Sequence, residues 1–247
     1  MIKFFRKIRQ NLLLKNQTGK YFKYAIGEIV LVVIGILIAL QINNWNQNRI
    51  ERHIEKQLLK ELLENLEVNE KKISASISEE FKSIESVKNI LVVLENRLAY
   101  NDSLDYHFAR GQYSPDLVLS STAFHAIQSR GIHIISSDKL RKSIITLFDN
   151  DYGFLISETI RLENQFWPSS LLPLYHKHFR INSMEGSPFN DKLGAAPIDY
   201  EALLNDQEYH NMIKHRGSFR YQGAALKEEA LRQTITLKNQ IINYLNL

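Results

Sequence analysis

A chain of 247 residues with 31 basic side chains, 27 acidic ones and no cysteine has room for one membrane helix and one domain with its own core. The missing cysteines exclude disulfides, zinc thiolates and a thiol nucleophile. Its net charge of +4 sits at one end: taking seven N-terminal basic residues from 31 and Glu28 from 27 leaves 24 and 26, a net of −2. That balance carries no nucleic-acid footprint.

Residues 1–20 read as a basic amphipathic cytoplasmic segment. Ile2, Phe4, Phe5, Ile8 and Leu12 can share one helical face beside Lys3, Arg6, Lys7 and Arg9, the pattern of a short helix lying on anionic lipid. Lys15, Lys20 and Lys23 continue the basic run up to the next element.

Residues 21–43 read as a transmembrane helix. From Ala25 to Leu40 every residue is apolar except Glu28. About 22 residues at 1.5 Å each give roughly 33 Å of helix, against a hydrocarbon core of about 30 Å. Tyr21, Phe22, Tyr24 and Trp45 lie where aromatic belts lie. The apolar run is too long for a cleaved leader and lacks a small-residue cleavage site, so it reads as an uncleaved signal-anchor. Seven basic residues and no acid precede the span, which predicts a single pass through the inner membrane, N-terminus cytoplasmic and C-terminal domain periplasmic. Glu28, about one turn from Tyr24, is the intramembrane polar candidate, read as an interfacial anchor or helix contact. Gly35 and Ala39 form a small-xxx-small pair that permits close helix packing, which leaves a homodimer open.

FFRKIRQ (from Phe4) and GKYFKYAIGEIVLVVIGILIALQINNWN (Gly19 to Asn46) resemble the N-terminal signature of an uncharacterised family of membrane-anchored proteins from Bacteroidota, labelled a domain of unknown function. The similarity continues at lower fidelity through GIHIISSDKLRKSI (Gly131 to Ile144) toward the C-terminal helix. The resemblance implies a single-pass inner-membrane protein with a helical extracytoplasmic part. It implies no activity or site residue.

The span is expected to run on into a helical stalk and first long domain helix, residues 44–100, with no Gly or Pro before Gly111. Ile50, Ile54, Leu58, Leu62 and Leu66 recur at helical spacing, and Ile84, Val87, Leu91, Leu94 and Leu98 follow a heptad-like rhythm. A bend is allowed around Val68 to Ser78. The stripe predicts packing within the domain, with an intermolecular coiled coil as the alternative. For residues 101–247 a helical domain closed by a long C-terminal helix is expected. Asn101 to Asp116 has loop composition. Leu119 to Gln128 is expected as a helix capped by Ser120 or Ser121 and closed by Gly131, and Ile132 to Ile135 as a short extended run. Lys139 to Asp149 and Tyr152 to Phe166 read as helices, the second broken by Pro168 and Pro173. Residues 181–198 read as a loop, Asp199 to Ile213 as a helix ended by Gly217, and Ser218 to Leu245 as the last helix. No strand ladder is evident. The class is all-α, an N-terminal transmembrane helix followed by an antiparallel helical domain.

Little carries chemistry. His176 and His178 are two apart and diverge on a helix. His125, His133, His210 and His215 lack the spacing of a helical zinc site, and the Asp149–Gly153 run lacks the glycine and glutamate of a calcium loop. No nucleophile elbow, phosphate loop or dinucleotide fingerprint occurs. Arg130, His133, Lys139 and Arg141 could form a small anion-binding patch with the helix start at Asp138, though a solvated basic surface explains them as well. No catalytic, cofactor or metal residue is expected. The reading is a non-catalytic scaffold or interaction protein whose partners are the bilayer, another envelope protein or itself, and no nucleic acid. The alternatives are an extracytoplasmic sensory or ligand-binding module acting through a partner and, third, an enzyme of unrecognised class.

Overall fold

The computed structural model describes residues 18–181 and 194–246. Lys3, Arg6, Lys7, Arg9 and Lys15, with the amphipathic segment that carries most of them, lie outside these residues, as does most of the expected 181–198 loop. The chain divides into two compact units, Met1–Glu55 and Lys56–Leu247.

Helix α1 runs from Thr18 to Glu95. The absence of Pro and, beyond Gly35, of Gly leaves nothing in the sequence to break it. In the first unit its apolar side chains from Ile26 to Ile42 are exposed. An 18-residue window there has mean hydropathy 2.6 with none of it buried, and among the described residues this is the one helix long and apolar enough to cross a membrane. Lys23 is exposed and Glu28 partly so. The helix is unbroken through residues 68–78.

In the second unit α1 buries Leu59, Leu62, Leu66, Ile73, Ile84, Val87, Ile90 and Leu94. The expected stripe is therefore core at three of its five positions. Leu91 is only partly buried against the core, and Leu98 is exposed beyond the helix end. The helix stops at Glu95, where Arg97 takes a left-handed φ of 48° and the Leu98 amide bonds back to Val93. No glycine marks this end.

Residues Leu104–Gly111, expected as loop, form helix α2. Leu104, Phe108 and Ala109 are buried while Tyr106 is exposed and Asp105, His107 and Arg110 are partly so, so an amphipathic short helix hides inside a loop-like composition. Helix α3 (Thr122–Arg130) ends at Gly131, whose φ of 88° favours glycine. Ile132–Ile134 is a 3-10 turn where an extended run was expected. Ser137 caps helix α4 (Asp138–Ile145) by accepting from the Leu140 amide. A π-helical turn, Thr146–Asp151, follows. Helix α5 spans Tyr152–Phe166 as expected, but Pro168 and Pro173 do not break the run. Pro168 sits in a second π turn, Trp167–Leu171, and Pro173 at the start of helix α6, Leu172–His178, which that turn runs straight into. A small antiparallel pair joins β1 (Phe179–Ile181) to β2 (Ala195–Pro197).

Asp199 caps only the short helix α7, Tyr200–Asn205. Asp206 then caps helix α8, Gln207–Leu245, with both the Glu208 and Tyr209 amides on its carboxylate. Gly217 does not end a helix; it lies inside α8, where an added Cβ would fall 3.0 Å from Val87 Cγ1. Ion pairs Glu95–Lys214, Glu80–Lys227 and Glu70–Lys238 align α1 and α8 antiparallel. The all-α class stands.

Candidate functional site: a buried charge cluster

The α1-facing side of α8 is not a hydrophobic stripe. Its buried residues include Arg216, Gly217, Arg220, Gly223, Ala224, Lys227 and Ala230. Arg216, Arg220 and Lys227 stand four and seven apart, which places them on one face, and each is 2 % exposed or less. Leu226, Leu231, Ile235, Ile242 and Leu245 are half-buried flanks of that face.

Two carboxylates meet these three cations. Glu80, from α1, accepts from Lys227 Nζ at 2.6 Å and lies 3.2 Å from Arg220 Nη1. Glu163, from α5, accepts from Arg216 Nη1 at 2.9 Å on both oxygens and from Arg220 Nη2. Arg220 Nη1 also donates to Ser114 Oγ at 2.7 Å, and Arg216 Nη2 to the Gln112 carbonyl. The cluster thus ties α1, the segment after α2, α5 and α8 together. Gly223 is part of its construction: a Cβ there would sit 3.0 Å from Glu80 Oε1. The Arg216 guanidinium also lies 5.9 Å from the Phe166 ring.

Three cations against two carboxylates leave an excess positive charge in a desolvated place. Burial and then the neighbouring Arg220 pull the Arg216 pKa down to about 10, against the pull of Glu163. Burial likewise lowers that of Lys227, with Glu80 acting in the opposite direction. At the edge, Arg110 of α2 pairs with Glu79 and lies 4.8 Å from the Tyr113 ring. Burial works to raise the Glu79 pKa, but hydrogen bonds from Lys82 and Arg110 outweigh it and the net shift is downward.

Nothing in this constellation is a nucleophile beside a base. It stabilises one relative placement of helices, because a buried charge that loses its partner is expensive. Two further polar clasps serve the same end. Asn65 Oδ1 accepts from the Ala123 amide at 3.0 Å, taking the capping role the N-cap Ser121 leaves open, and Asn69 exchanges two hydrogen bonds with the Ser120 backbone. Asp206 gathers Lys177 at 2.5 Å and His178 at 2.8 Å while capping α8. His176 stays exposed.

The four residues of the expected anionic patch lie in different settings. Arg141 is engaged by the Ile135 carbonyl at 3.0 Å and by Asp138, Arg130 and His133 are exposed, and Lys139 lines a cleft between α4 and α8. Among the described residues no group of three or more His, Asp or Glu side chains could hold a metal ion. Gly35 lies in the exposed apolar stretch with nothing within 4 Å of an added Cβ, and Ala39 is exposed there too. The charge cluster escaped sequence reasoning because its members lie up to 147 residues apart. A signal was nonetheless present: cations recurring among Gly217, Gly223, Ala224 and Ala230 mark a close-packed face.

No curated protein and no solved structure matches the chain. A family model matches residues 28–166, more than half of the sequence, and the chain belongs to that group, the Family of unknown function (DUF6090).

Proposed function

We propose that the protein is a membrane-anchored, non-catalytic interaction protein of the cell envelope. In this reading the apolar part of α1 spans the inner membrane as an uncleaved anchor, the basic N-terminal segment stays in the cytoplasm, and residues 56–247 offer a helical surface outside it to another envelope protein or a second copy. One observation carries the proposal: the apolar side chains of α1 from Ile26 to Ile42, interrupted by Glu28 and Gln41, are exposed, and only lipid or another apolar surface would cover them. The basic residues on one side of it support the orientation. The charge cluster fits a domain whose interior is spent on fixing helix placement. A phosphatase fused after the C-terminus should be active outside the cytoplasm, and crosslinking in intact membranes should capture a defined partner or a second copy. A fusion active only as a cytosolic reporter would overturn the orientation. Release of the full chain by carbonate wash would overturn the anchor.

A further inference from the structure

Between α4 and α8 lies a cleft of about 280 Å³ that neither the charge cluster nor the anchor uses. Its walls are two facing helical stripes: positions 139, 142, 143 and 146 on one side, and 233, 236, 237 and 240 on the other. That i, i+3, i+4, i+7 spacing is where packed helices place apolar residues. Of these eight positions only Leu237 is apolar; Leu147 adds a second apolar side chain to the lining, and the π-helical turn Thr146–Asp151 forms one end. π turns recur at functional sites.

The polar groups along the seam are separated by sign. Lys139 and Lys142 stand toward one end, and among the described residues neither has a carboxylate partner. Ser136–Tyr244 and Tyr152–Thr234 hydrogen bonds set the two helices antiparallel, which brings Gln240 to this lysine end. Gln240 Oε1 is buried and makes no hydrogen bond. At the other end Asp151 has no hydrogen-bonded partner either, and burial together with the nearby Glu229 raises its pKa. Glu229 itself is engaged by Arg232 and Gln233.

We propose that this seam binds a small linear zwitterion, a peptide of two or three residues in extended form. Its carboxylate meets Lys139 and Lys142, its ammonium meets Asp151, and its backbone amides meet the amide and hydroxyl groups between. The spacing suits that class: nine residues from Lys142 to Asp151 cover roughly 13 Å at 1.5 Å per residue, and three extended residues span about 10 Å. The volume lies just below the range of ligand sites, which run from about 300 Å³ upward, and suits a short ligand. A carboxylate alone would leave Asp151 unanswered, and a cation alone would leave both lysines so. The site lies wholly within residues 139–240 and does not depend on the membrane reading.

The test is isothermal titration of the full chain in detergent micelles with triglycine. Saturable binding is expected. Asp151→Asn and the double change Lys139→Gln, Lys142→Gln should each weaken it by roughly tenfold or more, the loss of a charge-assisted contact. All three side chains lie outside the charge cluster, so the variants should melt near the parent, which separates lost binding from lost folding. The absence of saturable heat, equal binding by N-acetylated triglycine amide, or indifference to both variants would overturn the proposal. Binding of inorganic phosphate as tight as that of triglycine would overturn it too, leaving a plain anion site.

Discussion

Glu80 is the residue on which the buried cluster turns, because it faces both Lys227 and Arg220. Glu80→Gln leaves two cations with a neutral partner in a desolvated place, and stability should fall by about 3–5 kcal/mol. Replacing the pair together, Glu80→Leu with Lys227→Met, should recover most of that loss, since well-packed apolar residues often match or exceed a buried ion pair. Urea denaturation of the three variants measures both; a single-variant loss below about 1 kcal/mol would mean the carboxylate is not buried against its cations. Asp206 predicts a pH effect of known sign. Burial alone would raise its pKa from 3.8, but Lys177, the Tyr209 amide and His178 hold it below that value in the fold. A depressed folded pKa means the stabilisation is complete above the unfolded value and is lost as pH falls below it toward the folded one. Thermal melting should therefore drop between about pH 5 and pH 2, and Asp206→Asn should flatten that part of the profile while lowering stability at neutral pH.

Elements were legible where burial follows apolar spacing and illegible where it does not. The apolar helix of the span, the helix over Tyr152 to Phe166 and the end of helix α3 at Gly131 come straight from pattern and capping chemistry. Helix α2 was missed because its exposed face is rich in polar residues, and α8 was divided at Gly217 because a glycine there reads as a stop. Only the position of Val87 across the interface shows that the glycine serves close approach. The register of α1 separates these two kinds of evidence. The heptad reading makes Leu91 a core residue, whereas the fold makes Ile90 fully buried and Leu91 a partly covered neighbour. Ile90→Ala should cost about 2–5 kcal/mol. Leu91→Ala should cost about 1 kcal/mol, in keeping with partial burial. Equal losses at both positions would mean that α1 is turned relative to α8, or that Leu91 packs on a second chain.

At the scale of the whole molecule, the division after Glu55 separates the stretch whose apolar side chains from Ile26 to Ile42 are exposed from residues that enclose their own core. The second unit contains both sides of each ion pair in the buried cluster and both helices of the antiparallel α1–α8 pair from Lys56 onward. Its stability is therefore expected to be self-contained. A fragment beginning at Lys56 should be soluble without detergent, show a strongly helical circular dichroism spectrum and melt cooperatively. It cuts α1 about one turn ahead of Leu59 and Leu62, so fraying there should remain local. The same fragment decides how the α1 stripe is used. Ile84, Val87, Ile90 and Leu94 are covered from within the chain, and of the stripe Leu91 and Leu98 alone keep exposed surface. Light scattering should accordingly give the mass of a single chain. A stable dimer that dissociates on Ile90→Ala would reassign the stripe to an intermolecular coiled coil, and an unstructured fragment would mean that the domain orders only when anchored.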